Sequence, residues 1–493
     1  MKRKYSIGVI LLAFVLSACE NWLDVKPELD IYEETLFEEA KGYYVGLNGL
    51  YVKMSSKSLY GQELSWGAVE AWGRSYTLNE NNHAGYFQMV NFEYDKTEAV
   101  NIRKDIWLSA YKVIAEANNL IQNLEKDEKV KFKYGDVTKN MILAEAYAVR
   151  ALMHFELVRI FAQAPIVDNG GISSFVPWVT VYPSLVNAPR PTREVLQNII
   201  GDLEKAKEWI KPFDTDADYP GYACFLGTNA GTRIKLESNI VGVASDEDEF
   251  FRYRANRLNY YAITALLARV SLYAGENDKA FENANEIVNL VNAKENYVFV
   301  APGNVGNTEP RLHSEILFGG YNSNLPDLTE PYFDVDNVEM LLVLNDRVGI
   351  FEENPLDVRL QAIPGNVVTK FSLKTWDEAI SSVAKALEPV LRFPECYYIA
   401  AEAIFDKDKA KAIEIFNQVV EARGNDIYKL NANVDKETFM EFIVKEYRRE
   451  FLGEGYLVYV YKRLNIPLRA NGTTIAHDGK LVLPVPDIEA GLQ

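Results

Sequence analysis

The sequence has few residues of the kinds that mark catalysis or metal binding. Of 493 residues, 3 are cysteine and 4 are histidine. The histidines (His83, His154, His313 and His477) have no second His or Cys three or four positions away, so zinc spacing is absent. No nucleophile elbow, phosphate loop or dinucleotide glycine pattern occurs. The sequence therefore gives no positive support for an enzyme, a metal site or a cofactor.

Basic charge is scarce relative to acidic charge. The chain has 52 Lys and Arg against 70 Asp and Glu, a net charge of −18 at pH 7, and no dense basic stripe. Nucleic acid binding requires a basic patch that displaces counterions from phosphates, so we expect no nucleic acid partner. An acidic surface also repels anionic lipids, so we expect membrane contact through a lipid anchor alone.

The first residues have the pattern of a bacterial lipoprotein signal. Basic residues at 2–4 precede an apolar run, Tyr5–Ala18, and then Cys19. The run is shorter than the roughly 20 residues that cross a membrane, which indicates a cleaved signal. We expect residues 1–18 to be removed and the Cys19 thiol to carry lipid.

The other two cysteines are Cys224 and Cys396. Two isolated thiols do not define a disulfide framework, and the sequence leaves open whether they form a bridge.

Helical periodicity dominates the informative segments and predicts an all-α fold. The clearest feature is a pair of helices over 257–291 separated by Gly275, with small residues where close-packed helices of a tetratricopeptide unit cross. The same spacing recurs later in the chain. The two matching sets are Ala268, Ala280, Ala284 and Ile287, then Ala400, Ala412, Phe416 and Val419.

Long stretches without helical period separate the helical segments. They are 55–95, 164–192, 212–256, 296–378 and 465–480. No linker between independent domains is evident, so we expect a tether at 19–40 and one domain over 41–493. The prediction is a superhelical scaffold of helix pairs with long decorated loops, which are usually functional, and minor β content.

Aromatic residues in the first of these loops are interleaved with asparagines. Flat rings stack on the C–H faces of a sugar while amide side chains hydrogen-bond its edges, so this mixture suits a saccharide platform. A single Trp or Tyr is nevertheless more often part of a core than of a ligand site. The candidate ligand-binding residues are Trp66, Trp72, Tyr76, Asn81, Asn82 and Tyr86.

One acidic segment has part of the pattern of a calcium loop. Asp214, Asp216 and Asp218 have the spacing of a calcium loop, but Phe225 stands where the distal glutamate belongs. A solvated acidic loop is therefore favoured over calcium there, and also for residues 246–249.

Several motifs, in order, resemble those of the SusD/RagB family of surface lipoproteins in Gram-negative bacteria. They extend from Cys19 to about Leu492, which makes the resemblance specific. The matching segments are 19–27, 144–165, 257–275, 354–359 (the Asp-x-Arg element), 389–403, 446–455 (resembling Glu-Arg-Arg-x-Glu-Phe) and 483–489. Buried Arg–Glu pairs, such as Arg449 with Glu450 or Glu454, are expected to tie helices together rather than to bind a ligand.

The resemblance implies a non-catalytic, lipid-anchored protein on the outer surface of the outer membrane. Such a protein captures a nutrient, most simply an oligosaccharide or polysaccharide, and passes it to a SusC-type TonB-dependent transporter. The resemblance also implies ligand-binding loops near the middle of the chain, where Tyr321, Asn322 and Trp376 are available.

Three alternatives remain open at this stage. The ligand could be a peptide, as the RagB branch implies, which would favour backbone hydrogen bonds over stacked rings. The protein could instead be a glycan hydrolase or a peptidase, although 70 acidic residues identify no catalytic carboxylate pair. A third alternative is a structural lid on the transporter without ligand affinity of its own.

Overall fold

The computed structural model describes most of the chain. It covers residues 35–184, 187–225, 250–251, 254–293, 297–306, 308–352, 354–373, 376–378 and 380–487. The predicted signal, Cys19 and the acidic run 246–249 lie outside the described residues. Cys396 lies within them and is a free, buried thiol.

Helices make up most of the described structure, and the prediction of an all-α fold is confirmed. In chain order they are α1 Ala40–Met54, α2 Ala68–Trp72, α3 Ala84–Val90, α4 Thr97–Lys126, α5 Asp136–Phe161, α6 Thr192–Thr215, α7 Pro220–Phe225, α8 Tyr260–Ala274, α9 Asn277–Asn292, α10 Leu325–Phe333, α11 Arg347–Phe351, α12 Ser382–Ala386, α13 Pro394–Ile404, α14 Lys409–Ala422, α15 Lys436–Glu450 and α16 Leu457–Leu464.

The strands are short and form antiparallel two-stranded sheets, which agrees with the predicted minor β content. They are β1 Tyr76–Thr77, β2 Phe175–Pro177, β3 Pro189–Pro191, β4 Ile316–Tyr321, β5 Val343–Leu344, β6 Leu387–Arg392, β7 Leu468–Ala470 and β8 Thr473–Ile475. The pairs are β1 with β5, β2 with β3, β4 with β6, and β7 with β8. The pairing of β4 with β6 brings Tyr321 opposite Leu387.

The predicted helix pairs are present as α8 with α9 and α13 with α14. Asn259 caps α8 by accepting hydrogen bonds from the N–H groups of Tyr261 and Ala262. Gly275 ends α8 at φ 82°, a left-handed conformation that glycine adopts without strain. All eight residues of the two matching sets are 0% exposed, so they lie at the helix crossings as predicted.

The longest loops contain more structure than their sequence patterns indicated. Segment 55–95 includes α2 and α3, with 5 and 7 residues. A helix of one or two turns is too short to display a 3.6-residue period, and tertiary packing rather than local propensity stabilises it. These helices carry several of the predicted ligand-binding aromatics into the core.

A buried ion network joins the C-terminal helices to β6. The Glu450 carboxylate accepts hydrogen bonds from Arg392 at 2.7 Å, from Arg423 at 2.7 and 2.9 Å, and from Arg359 at 3.0 Å. Glu315 pairs with both Arg392 and Arg423. Each of these charges is compensated at close range, as a buried charge requires.

Arg449 also ties elements together, but the predicted partners were wrong. Its guanidinium donates to Glu446 at 2.8 Å and to Glu352 at 2.6 Å, not to Glu450 or Glu454. The reason is helix geometry, because Glu446 is three residues away on the same helix face. Glu454 instead accepts from Arg392 at 2.9 Å and from Lys370 at 2.7 Å.

Glu388, on β6, is a buried acid without such compensation. It is 1% exposed, the Ser65 hydroxyl is its neighbouring donor, and neither carboxylate oxygen has a well-formed hydrogen bond within the described residues. Burial raises the pKa of Glu388 to about 8, and the charge of Arg311 offsets the effect in part. Glu454 and Lys370 are the other charged groups that act on it.

We expect Glu388→Gln to stabilise the protein at alkaline pH. A carboxyl whose pKa is higher in the folded than in the unfolded state stabilises the fold below its unfolded pKa, and that contribution is lost as the pH rises through about 8. The glutamine variant avoids this loss. Urea unfolding of both proteins from pH 5 to pH 9 should show the variant gaining stability relative to wild type as the pH rises. If the unfolding free energies of the two proteins change with pH in parallel, the pKa of Glu388 is not raised.

Candidate functional site

The two tryptophans predicted to contact ligand, Trp66 and Trp72, are core residues. Both are 0% exposed. The Trp66 indole N–H donates to the Gly61 carbonyl at 3.2 Å, and its ring packs edge-on against Phe333. The Trp72 indole N–H donates to the Tyr94 hydroxyl at 2.8 Å. Because protein atoms cover both rings, the structure reassigns these positions to the core.

Three further predicted aromatics are also buried. Tyr76, Tyr86 and Trp376 are 4%, 6% and 6% exposed. The Tyr86 hydroxyl accepts from the Gln62 amide at 2.8 Å, and the Trp376 indole N–H donates to the Thr369 carbonyl at 2.9 Å. Their ring faces are occupied by protein contacts, so they too are corrected from ligand platform to core.

The predicted asparagines lie at a loop surface. Asn81 is exposed, and Asn82 is half-buried. The Asn82 amide donates to the Glu339 carbonyl at 2.7 Å, and the Asn79 side chain accepts from the backbone N–H groups of Asn81 and Asn82. Asn82 therefore fixes the loop to a neighbouring segment.

Tyr321 is the predicted aromatic that the structure does expose. It ends β4, and 51% of it is accessible. Asn322 follows it and holds the strand end in place: its backbone N–H donates to the Ala386 carbonyl and its amide to the Ser55 carbonyl, both at 2.8 Å. Tyr321 is thus a solvent-facing ring on a rigid support.

A cleft of about 350 Å³ opens beside Tyr321. Its walls come from α1, from residues 250, 256 and 257, from the end of β4, and from the junction of α12 with β6. The lining residues are Asn48, Tyr51, Val52, Phe250, Asn256, Arg257, Gly319, Tyr321, Val383 and Leu387. The cleft therefore combines an exposed ring, aliphatic side chains and two amides.

The charges beneath this cleft are paired. The Arg257 guanidinium donates to both carboxylate oxygens of Glu145 at 3.0 Å and to the Phe250 carbonyl at 2.9 Å. Arg254 lies between Glu145 and Asp214, donating twice to Asp214 at 2.8 Å. Two cations thus face two carboxylates.

The Asp214 carboxylate, predicted to be part of a solvated acidic loop, is surrounded by protein donors. Besides Arg254, the Asp214 carboxylate accepts from the Tyr260 backbone N–H at 2.8 Å. Its oxygens are turned inward to these donors, at 1% exposure, and are not presented to solvent. Asp214 is therefore held as an ion-pair partner of Arg254.

Sequence reasoning missed the partners of Tyr321 in this cleft. Asn256 and Arg257 are far from Tyr321 in the chain, and tertiary folding alone brings them together. One signal was available in the sequence of α1, where Val45 and Val52 lie seven residues apart, and so on one helix face, with Asn48 between them. In the structure these two valines are 53% and 67% exposed. Exposed valines on one helix face indicate a contact surface.

A second cleft, of about 260 Å³, lies between α10 and residues 371–373. Its lining includes Asp327, Glu330 and Asp334 and one aromatic, Phe371, which is 0% exposed. Without an accessible ring, it suits a saccharide less well than the cleft at Tyr321.

Sequence comparison matches two parts of the chain to one group of proteins. The family SusD-like_3, described as "Starch-binding associating with outer membrane", matches residues 21–214. The family SusD_RagB, described as "SusD family", matches residues 279–479.

Curated relatives agree with the family matches. SusD-like protein P38 of Formosa agariphila is 23% identical over 517 residues, covering 96% of this chain and 95% of P38. SusD-like protein P2 of the same organism is 28% identical over 212 residues, which span 42% of this chain and 38% of P2.

Solved structures share the fold. A SusD superfamily protein from Bacteroides fragilis superimposes with a TM-score of 0.70 at 22% identity, covering 93% of this chain and 99% of that one. A protein described as "Laminarin binding SusD-like protein" gives a TM-score of 0.61 at 17% identity, covering 92% and 98%. Among the described residues, no helix is both long enough and apolar enough to cross a membrane.

Proposed function

The chain belongs to the SusD/RagB family, and from that premise we propose that it captures a glycan at the cell surface. The observation that carries this proposal is the cleft at Tyr321, where an exposed ring stands beside two asparagines and aliphatic side chains. A sugar presents C–H faces to rings and hydroxyls to amides, so the cleft offers both kinds of contact. The laminarin-binding protein with the same fold supports a glycan as the ligand class.

The protein is proposed to bind its glycan without cleaving it. Glycoside hydrolysis uses two carboxyl groups flanking the scissile bond. The described residues that line the cleft at Tyr321 include no Asp or Glu, and Glu145 beneath them is bound to two arginines. Incubation of the purified protein with a bound glycan should release no new reducing ends.

Replacing Tyr321 by alanine should weaken glycan binding by about tenfold or more, because aromatic anchors dominate binding energy at such sites. The matched control is Phe175→Ala, since Phe175 is 50% exposed but lies on β2, outside the cleft lining. Affinity electrophoresis of residues 20–493 against a polysaccharide panel measures the effect. If a polysaccharide retards the wild type and Tyr321→Ala equally, this cleft is not the binding site. If the protein binds peptides and no glycan, the peptide alternative is favoured.

The proposal places the protein on the outer membrane through lipid at Cys19, as partner of a SusC-type TonB-dependent transporter. A tethered protein that closes over the transporter as a lid needs only different contacts in its open and closed poses. The family membership and the N-terminal signal pattern support this arrangement.

Cys19→Ala should move the protein from the membrane fraction to the soluble fraction, because no acyl chain would then hold it. Its glycan affinity should stay unchanged, since the described lining of the cleft begins at Asn48. Fractionation followed by immunoblotting measures the first effect. Retention in the membrane fraction would show that another segment anchors the chain.

A further inference from the structure

The cleft at Tyr321 contains a polar group that the described part of the protein leaves without a hydrogen-bond partner. Asn256, the last residue of the short helix Arg254–Asn256, is 5% exposed, and its amide nitrogen has no hydrogen-bond partner within the described residues. A buried donor without a partner is costly, and few occur in native structures. Such a group in the lining of a cleft indicates a ligand acceptor.

The charges in the cleft restrict the class of ligand that can supply this acceptor. Among the described lining residues, Arg257 carries the one formal charge, and Glu145 binds it through both oxygens. An anionic ligand would therefore meet no unpaired cation, and it would approach a chain of net charge −18. A cationic ligand would meet no unpaired carboxylate in the lining.

The apolar part of the lining comes from α1, the end of β4, and the junction of α12 with β6. Val52 is 67% exposed on α1, and Tyr321 is 51% exposed at the end of β4. Val383 and Leu387 lie beside them. A ligand that covers these side chains must present an extended C–H surface, which a pyranose ring with equatorial hydroxyls does.

We infer that the cleft selects an uncharged pyranose unit, and that Asn256 determines specificity by donating a hydrogen bond from its amide to a ring or hydroxyl oxygen of that unit. This inference rests on the proposed function and adds the class of ligand and the residue that recognises it. Charged glycans, such as uronates and sulfated chains, are excluded from this site.

The test compares Asn256→Leu with wild type by calorimetric titration and thermal unfolding. Leucine matches the amide in size and removes the unsatisfied donor, so the free protein should be as stable as wild type or more stable. Affinity for the uncharged oligosaccharide should fall by about tenfold, the value of one hydrogen bond. Asn256→Ala, which adds no volume, should weaken binding in the same way. Asn433→Leu, at an exposed position outside the cleft lining, should not.

The outcomes separate this inference from the proposed function. Binding of an anionic glycan that depends on Tyr321 and weakens with added salt would overturn the inference and leave glycan capture standing. Wild-type affinity in both Asn256 variants would overturn the role of Asn256. Loss of stability together with loss of binding in both variants would show a structural role instead. Failure of the wild-type protein to bind any glycan would overturn both proposals.

Discussion

Replacing Glu450 by alanine should cost about 3–5 kcal/mol of unfolding free energy or prevent folding, because it removes the carboxylate that three buried arginines share. Glu450 is 1% exposed and accepts hydrogen bonds from Arg359, Arg392 and Arg423. Other buried carboxylates remain beside these arginines, but none of them contacts all three guanidinium groups. They are Asp357 and Glu446 at Arg359, Glu454 at Arg392, and Glu315 at Arg392 and Arg423.

The control for Glu450→Ala is Glu194→Ala. Glu194 pairs with Arg190 on the surface, where the two side chains are 44% and 51% exposed. Loss of an exposed pair should cost less than about 1 kcal/mol. Guanidinium unfolding followed by circular dichroism measures both variants. Similar midpoints for the two would show that the buried network contributes no more than a surface pair.

Replacing Trp72 by alanine should destabilise the fold by about 3–5 kcal/mol, the usual cost of a large cavity in a core. The ring is 0% exposed, and truncation also leaves the Tyr94 hydroxyl without the indole donor at 2.8 Å. At a temperature where the variant is still folded, glycan affinity should equal that of wild type, since Trp72 lies outside the cleft lining.

Trp72→Phe separates the two roles of this residue. It keeps most of the ring volume and removes the indole N–H, so it should cost less than the alanine variant. Thermal unfolding and calorimetric titration of all three proteins measure stability and affinity separately. A Trp72→Ala protein with wild-type stability and no glycan binding would return Trp72 to the ligand platform.

The helix pairs could be predicted from sequence because small residues recur at a fixed spacing. Ala268 and Ala280, and again Ala400 and Ala412, are separated by the same step, and all four are fully buried. This periodicity depends on local chain geometry, which a single sequence displays. The break between α15 and α16 was likewise visible, since Gly453 and Gly455 both adopt positive φ there.

Of the cleft proposed as the ligand site, only Tyr321 could be predicted from the sequence, together with Asn322, which follows it in the chain. Aromatic residues in an aperiodic segment look alike whether they face solvent or the core, so Trp66 and Trp72 could not be told from Tyr321 by spacing. Whether such a ring is buried depends on which elements pack over it. The helices α2 and α3 are too short to show a helical period in the sequence, so this packing could not be predicted. Asn256 reaches the cleft through contacts between distant segments.

The ion network, too, could be predicted from the sequence only in part. Burial and pairing of Arg449 followed from the cost of an unpaired buried charge. Its partner Glu352 belongs to another part of the chain, and α15 presents Glu450 to Arg359 and Arg423 instead. Residue type therefore predicted that a pair exists, while helix orientation determined its members.

A crystal structure of the protein with the glycan that it binds most tightly tests the central claim most directly. The account predicts an uncharged sugar ring lying on Tyr321, with one of its oxygens within hydrogen-bond distance of the Asn256 amide nitrogen. A sugar bound elsewhere, with the cleft at Tyr321 open to solvent, would contradict it.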